Sequence, residues 1–137
     1  SAYCWGTNVA GQLGADVQID TDEGSTVVRR AVAVATIGTG ASDLPATPAV
    51  TGLDAGRGPA PASAFCVLGG APADRGAFCW GSNAQGQLGL GDTTDSVVPR
   101  AVVRQPVSEL PDAAVATAIA VGSTTAIITI ITMRAIW

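Results

Sequence analysis

Apolar and polar positions alternate along this chain in short runs. Ala64-Phe65-Cys66-Val67-Leu68 and Ala77-Phe78-Cys79-Trp80 are apolar runs of strand length flanking a stretch from Gly69 to Gly76. That arrangement predicts a β-hairpin with a long tip. Val32-Ala33-Val34-Ala35-Thr36-Ile37 has the two-residue period of a strand. Leu44-Pro45-Ala46-Thr47-Pro48 and Gly56-Arg57-Gly58-Pro59-Ala60-Pro61 read as loops. From Ala113 to Met133 no charge occurs, and about twenty such residues are enough to cross a bilayer. Five Thr, the central Gly122-Ser123 and the wealth of β-branched Val and Ile instead favour two strands, 117–121 and 126–130, and no membrane span.

One stretch occurs twice. Tyr3-Cys4-Trp5-Gly6-Thr7-Asn8-Val9-Ala10-Gly11-Gln12-Leu13-Gly14 and Phe78-Cys79-Trp80-Gly81-Ser82-Asn83-Ala84-Gln85-Gly86-Gln87-Leu88-Gly89 agree at eight positions without a gap. Both read as a strand end entering a tight turn, in which Gly supplies positive φ and Asn bonds its local backbone. Each copy continues through a polar loop to a matching strand, Val27-Val28-Arg29-Arg30-Ala31-Val32 and Val97-Val98-Pro99-Arg100-Ala101-Val102. Gly14 to Val32 is 18 positions and Gly89 to Val102 is 13, so the first loop carries five extra residues. A repeated supersecondary unit means that neighbouring units cover one another's apolar faces.

A third, eroded copy follows when 125–128 and 134–137 are laid over 65–68 and 77–80. Trp137 then takes the place of Trp80, Ile136 that of Cys79 and Ala126 that of Cys66. Both cysteine positions turn apolar together, as a bonded pair predicts and two independent thiols do not. Cys66 and Cys79 are therefore the expected disulfide, which points to an oxidising compartment. Buried free thiols are the plainer alternative. A metal site is disfavoured by the wide spacing and the lack of His. Cys4 is left over, its partner position lying before Ser1. The chain opens inside a copy, which predicts a mature, proteolysed or partial chain.

Composition narrows the functions. The 137 residues carry a net charge of −4, seven basic residues that are all Arg, and no His. Such a balance offers no footprint for nucleic acid. Without His, the usual general base and most catalytic triads are missing.

The quoted residues resemble the RCC1-like repeat family of β-propellers, most of all its bacterial secreted or surface branch. The resemblance rests on Phe65-Cys66-Val67-Leu68, on Cys79 through Gly91, on Pro99 with Val102, and on Cys4 through Gly14. It departs where Ala64-Phe65 replaces the family's His-Thr, where Arg30 replaces the Pro, and over 33–63. The resemblance implies an all-β fold of four-stranded antiparallel blades. Residues 1–137 would be part of one propeller, with copies at about 1–63, 64–121 and a partial 122–137. Two to three blades make an incomplete ring, since closed propellers need about four or more.

The candidate site is then a blade-packing motif: Trp5, Gly6, Asn8, Gly11, Gln12, Leu13; Trp80, Gly81, Asn83, Gly86, Gln87, Leu88; and Trp137. The tryptophans suit packing between blades better than a sugar-binding surface, and the Asn and Gln suit backbone bonding in turns. Catalytic, cofactor and metal sites are not expected. Asp20-Thr21-Asp22-Glu23-Gly24 begins like a calcium loop but lacks the distal acid. Asp92 with Asp95 is weak as a carboxylate pair, and Cys4 lacks a His to activate it. The expected role is a non-enzymatic protein-binding module, extracellular or at the cell surface. Its partner would be another protein, or further blades of the same or another chain. A structural subunit of an extracellular or surface assembly is the alternative.

Overall fold

The computed structural model describes residues 2–15, 27–36, 42–46, 50–56, 63–73, 75–103, 114–124 and 126–132. Eight strands occur among them: β1 (Tyr3–Thr7), β2 (Val27–Ala33), β3 (Gly52–Ala55), β4 (Ala64–Gly69), β5 (Gly76–Gly81), β6 (Ser96–Ala101), β7 (Ala114–Val121) and β8 (Ala126–Thr132). No helix occurs among the described residues, so none there is long and apolar enough to cross a membrane. Asp20–Gly24, residues 57–61 and Trp137 lie outside the described residues.

The strands form three antiparallel sheets. The central one has the order β3-β4-β5-β6, while β1-β2 and β7-β8 are two-stranded. β4 and β5 pair from Ala64↔Gly81 to Gly69↔Gly76, bringing Cys66 opposite Cys79, and the two are joined by a disulfide. Apart from half-buried Phe65, both strands are buried along their whole length. A strand covered on both faces reads as a continuous apolar run, as these do.

Period-two alternation divides these side chains between two layers. Phe65, Val67, Phe78 and Trp80 turn toward the first sheet and pack with Val34, Leu44, Ala2 and Cys4. Cys66, Cys79, Ala64 and Leu88 turn the other way, onto Val121, Ile119 and Ala126 of the third sheet. Leu68 and Ala77 extend that second layer onto Ala116.

Backbone bonds show which strands correspond. Val34 N–H donates to the Ala2 carbonyl at 2.9 Å and Val102 N–H to Ala77 at 3.1 Å; Ala35 donates to Gly14 at 2.8 Å and Val103 to Gly89 at 2.9 Å. The β1-β2 pair therefore repeats β5-β6. These bonds also correct the sequence alignment. Val34, not Val32, takes the place of Val102, so Gly14 to Val34 spans 20 positions against 13 from Gly89 to Val102. The first loop therefore carries seven extra residues, not five.

A second correction concerns the third sheet. Val121 and its register partner Ala126 face the central sheet, as Phe65 faces the first. Ala126 thus holds the Phe65 position, not that of Cys66. A one-residue slip reverses every side chain of a strand, and Thr125-Ala126-Ile127 carries no cue strong enough to fix the register by eye. With this slip, β7-β8 repeats β3-β4.

Candidate functional site: the two motif turns

Both copies of the motif leave their strand through a positive-φ glycine, Gly6 at 113° and Gly81 at 99°. A Cβ on Gly81 would stand 2.5 Å from the Ser63 carbonyl oxygen, so the close approach of β4 requires glycine there. The turns that follow are built alike. Leu13 N–H donates to Asn8 Oδ1 and Leu88 N–H to Asn83 Oδ1, each at 2.9 Å. Ala10 N–H donates to Gln12 Oε1 at 2.8 Å and Gln85 N–H to Gln87 Oε1 at 2.9 Å. Gly11 and Gly86 close the turns by donating to the Asn8 and Asn83 carbonyls. Side-chain oxygens thereby stand in for the strand partners that the turning backbone has lost, and Leu13 and Leu88 are buried beneath.

The second turn is braced further. Asn83 is fully buried, and its Nδ2 donates to the Asp92 carbonyl at 3.0 Å, to Asp92 Oδ1 at 3.1 Å and to the Thr94 carbonyl at 3.0 Å. Its N–H donates to Asp95 Oδ1 at 2.7 Å. Both carboxylates are thus engaged in holding the Gly91–Asp95 loop, whose residues are all exposed.

The two turns differ in what lies against them. Trp80 is wholly buried on the first, its Nε1–H donating to the Gln12 carbonyl at 2.8 Å. Its ring stacks on Phe65 at 6.0 Å between centroids. Gly14 has φ +63°, and a Cβ there would stand 2.6 Å from Trp80 Nε1; a Cβ on Gly11 would stand 2.5 Å from Val97 Cα. The first turn is therefore a fitted seat for the second copy. At the second turn, a Cβ on Gly86 would meet nothing nearer than 3.9 Å among the described residues, and one on Gly89 only Val102 at 3.1 Å.

Trp5 departs from the expected packing. It is 67% exposed, because the face of β1 opposite the central sheet has no sheet against it among the described residues. Cys4, one residue earlier, turns inward and is half-buried. Burial pushes its thiol up from the ordinary value, which keeps it protonated and poorly nucleophilic near neutrality.

A strap at 42–44, which sequence reasoning missed, ties the first two sheets together. Ser42 Oγ donates to the Ala35 carbonyl at 2.8 Å and approaches that of Pro99 at 3.3 Å, and Leu44 is buried in the first core layer. Asp43 N–H donates to the Pro99 carbonyl, while Asp43 Oδ2 accepts from Ala101 N–H and from Arg100 Nε. No local pattern announces such contacts, whose partners lie 57 residues away. No group of three or more His, Cys, Asp or Glu is placed to hold a metal among the described residues.

Comparison with curated proteins yields no match. Residues 76–128, running from β5 through the second turn into β8, match the family described as Regulator of chromosome condensation (RCC1) repeat. The described residues form an all-β fold around a four-stranded antiparallel sheet, and the stretch 76–128 within it is similar to an RCC1 repeat.

Proposed function

We propose that this chain is a non-enzymatic, protein-binding β-propeller module of a secreted or cell-surface bacterial protein. The observation that carries the reading is the Gly91–Asp95 loop, fully exposed yet tied from beneath by Asn83. A loop already held in one conformation loses little entropy on docking, so it suits recognition of another protein. The Cys66–Cys79 bond supports an oxidising compartment, and the acidic balance disfavours nucleic acid.

A photo-crosslinking residue at Thr93 tests the reading, with one at exposed Ala73 on the hairpin tip as control. A single protein partner captured in the native source from position 93, and not from 73, is the expected result. Equal labelling from both positions, or none, would sink it. A second reading, a structural subunit of an extracellular or surface assembly, is favoured by the exposed Trp5 and by a second turn that no sheet covers among the described residues.

A further inference from the structure

The Cys66–Cys79 bond lies within the second core layer. Neither cysteine exposes any surface. Ala64, Leu88 and Val121 are buried around the pair, and Ile119 and Ala126 pack against the group. Thiol–disulfide exchange begins when a thiolate reaches one of the two sulfurs. A charged thiolate does not enter an apolar layer, so the closed fold offers a reductant no path to the bond.

The parts of that cover are held differently. Leu88 belongs to the motif turn, which is continuous with β5, and its N–H donates to Oδ1 of buried Asn83. Val121, Ile119 and Ala126 belong to β7-β8, which extends no ladder into the central sheet among the described residues. Ala116 N–H donates to the Arg75 carbonyl and Val121 N–H to Asp54 Oδ2, each at 2.8 Å. A hairpin docked in this way is marginal by itself and can open as a unit well before the whole fold does. The third sheet is therefore the movable part of the cover.

Reduction bears on the sheet in turn. β4 and β5 are each laddered on both sides within β3-β4-β5-β6, which fixes the spacing of the strands that carry Cys66 and Cys79. Two thiols no longer bonded to each other need van der Waals separation, and the ladders deny it sideways. The sulfurs then press outward on Val121, Ile119 and Ala126, and a packed layer resists added volume.

We propose that the disulfide and the third sheet form a redox latch: the bond is reduced only when β7-β8 lifts, and the reduced pair holds β7-β8 less tightly. A dithiol supplies the electrons. One of its thiolates attacks a cysteine sulfur and breaks the S–S bond, and its second thiolate resolves the mixed disulfide. The reductant leaves as its own disulfide, two electrons pass to the cysteines, and each cysteine takes up a proton. The latch does not depend on any partner at Thr93.

Matched valines in the two core layers test the first half. Val121 and Val34 are both buried, one over the disulfide and the other in the opposite layer with Trp80. In a Cys4→Ser background, reduction of the folded chain by dithiothreitol is timed by acid quench and thiol count. Val121→Ala should speed it about tenfold, through two methyl groups lost from the lid. Val34→Ala should change it less than about twofold, as an independent site does. Asp54→Asn keeps the side-chain shape but gives up the charge that assists the Val121 bond. It should act in the same direction more weakly, and serves if Val121→Ala fails to fold. Hydrogen exchange tests the second half. In the reduced chain the Ala116 and Val121 N–H groups should lose about tenfold in protection, while those of Val34 and Ala35, bonded to Ala2 and Gly14, keep theirs.

Equal acceleration by the two valine variants would overturn the proposal, since reduction would then pass through global unfolding. Acceleration by neither would overturn it too, because the closed fold would itself be reducible. So would a reduced chain whose β7 protection is unchanged, or is lost together with that of Val34.

Discussion

The two motif turns agree at five of seven positions from Asn to Gly and share their internal hydrogen bonds, yet among the described residues one is a packed interface and the other is uncovered. Gln12 and Gly14 are buried against Trp80, whereas Gly89 borders a cleft. The tryptophans invert the relation: Trp80 is sealed and Trp5 lies bare. A repeat specifies a shape and a seat, and position in the array decides whether the seat is filled. Identical residues in a repeat protein can therefore have very different energetic weight.

The largest test of that difference is the tryptophan pair. Trp80→Ala removes a fully buried side chain with its hydrogen bond and should cost about 3–5 kcal/mol. Trp5→Ala should stay within about 0.5 kcal/mol when unfolding in urea is followed at dilution. Equal costs would break the comparison.

Next come the glycines. Gly14→Ala and Gly89→Ala share the strain of a left-handed conformation, about 1–2 kcal/mol. Gly14→Ala should lose about 1–3 kcal/mol more, because its new Cβ meets the Trp80 ring while that of Gly89→Ala meets one Val102 methyl. The separation between the two urea midpoints measures it.

The smallest effect concerns the first-copy thiol. The folded state raises the pKa of Cys4, so the linked stability is fully present below the ordinary thiol value of about 8.5. It is lost as pH rises through the higher folded value. Stability should sag slightly in the alkaline range, Cys4→Ser should remove that sag, and alkylation by iodoacetamide at neutral pH should be slower than in the unfolded chain.

Much of this was legible from residues alone. The hairpin of β4 and β5 was, because two apolar runs flank a glycine-marked tip, and so was the turn, because Asn, Gly and Gln recur at fixed offsets. β3 was not: Gly52-Leu53-Asp54-Ala55 is short and rich in poor strand formers, and it forms because β4 offers it an edge. The face of Ala126 was not legible either, since a one-residue offset hardly alters an Ala/Ile/Thr overlay yet reverses the strand. Nor could the pattern distinguish Trp5 from Trp80, because their difference lies in neighbours far along the chain. The cleft and the strap belong to the same class of tertiary fact.

The strap has a bearing on the open edge of the central sheet. β6 is the outer strand of the central sheet, and an outer strand exposes a row of backbone groups that any stray extended peptide can zip onto. Asp43 occupies that row by taking the Ala101 N–H and capping the Pro99 carbonyl, while Pro99 itself has no N–H to offer. One acidic residue and one proline thus act as gatekeepers against amyloid-type lateral growth. A chain rich in Val and Ile can in this way be duplicated into longer arrays without its flanks becoming adhesive.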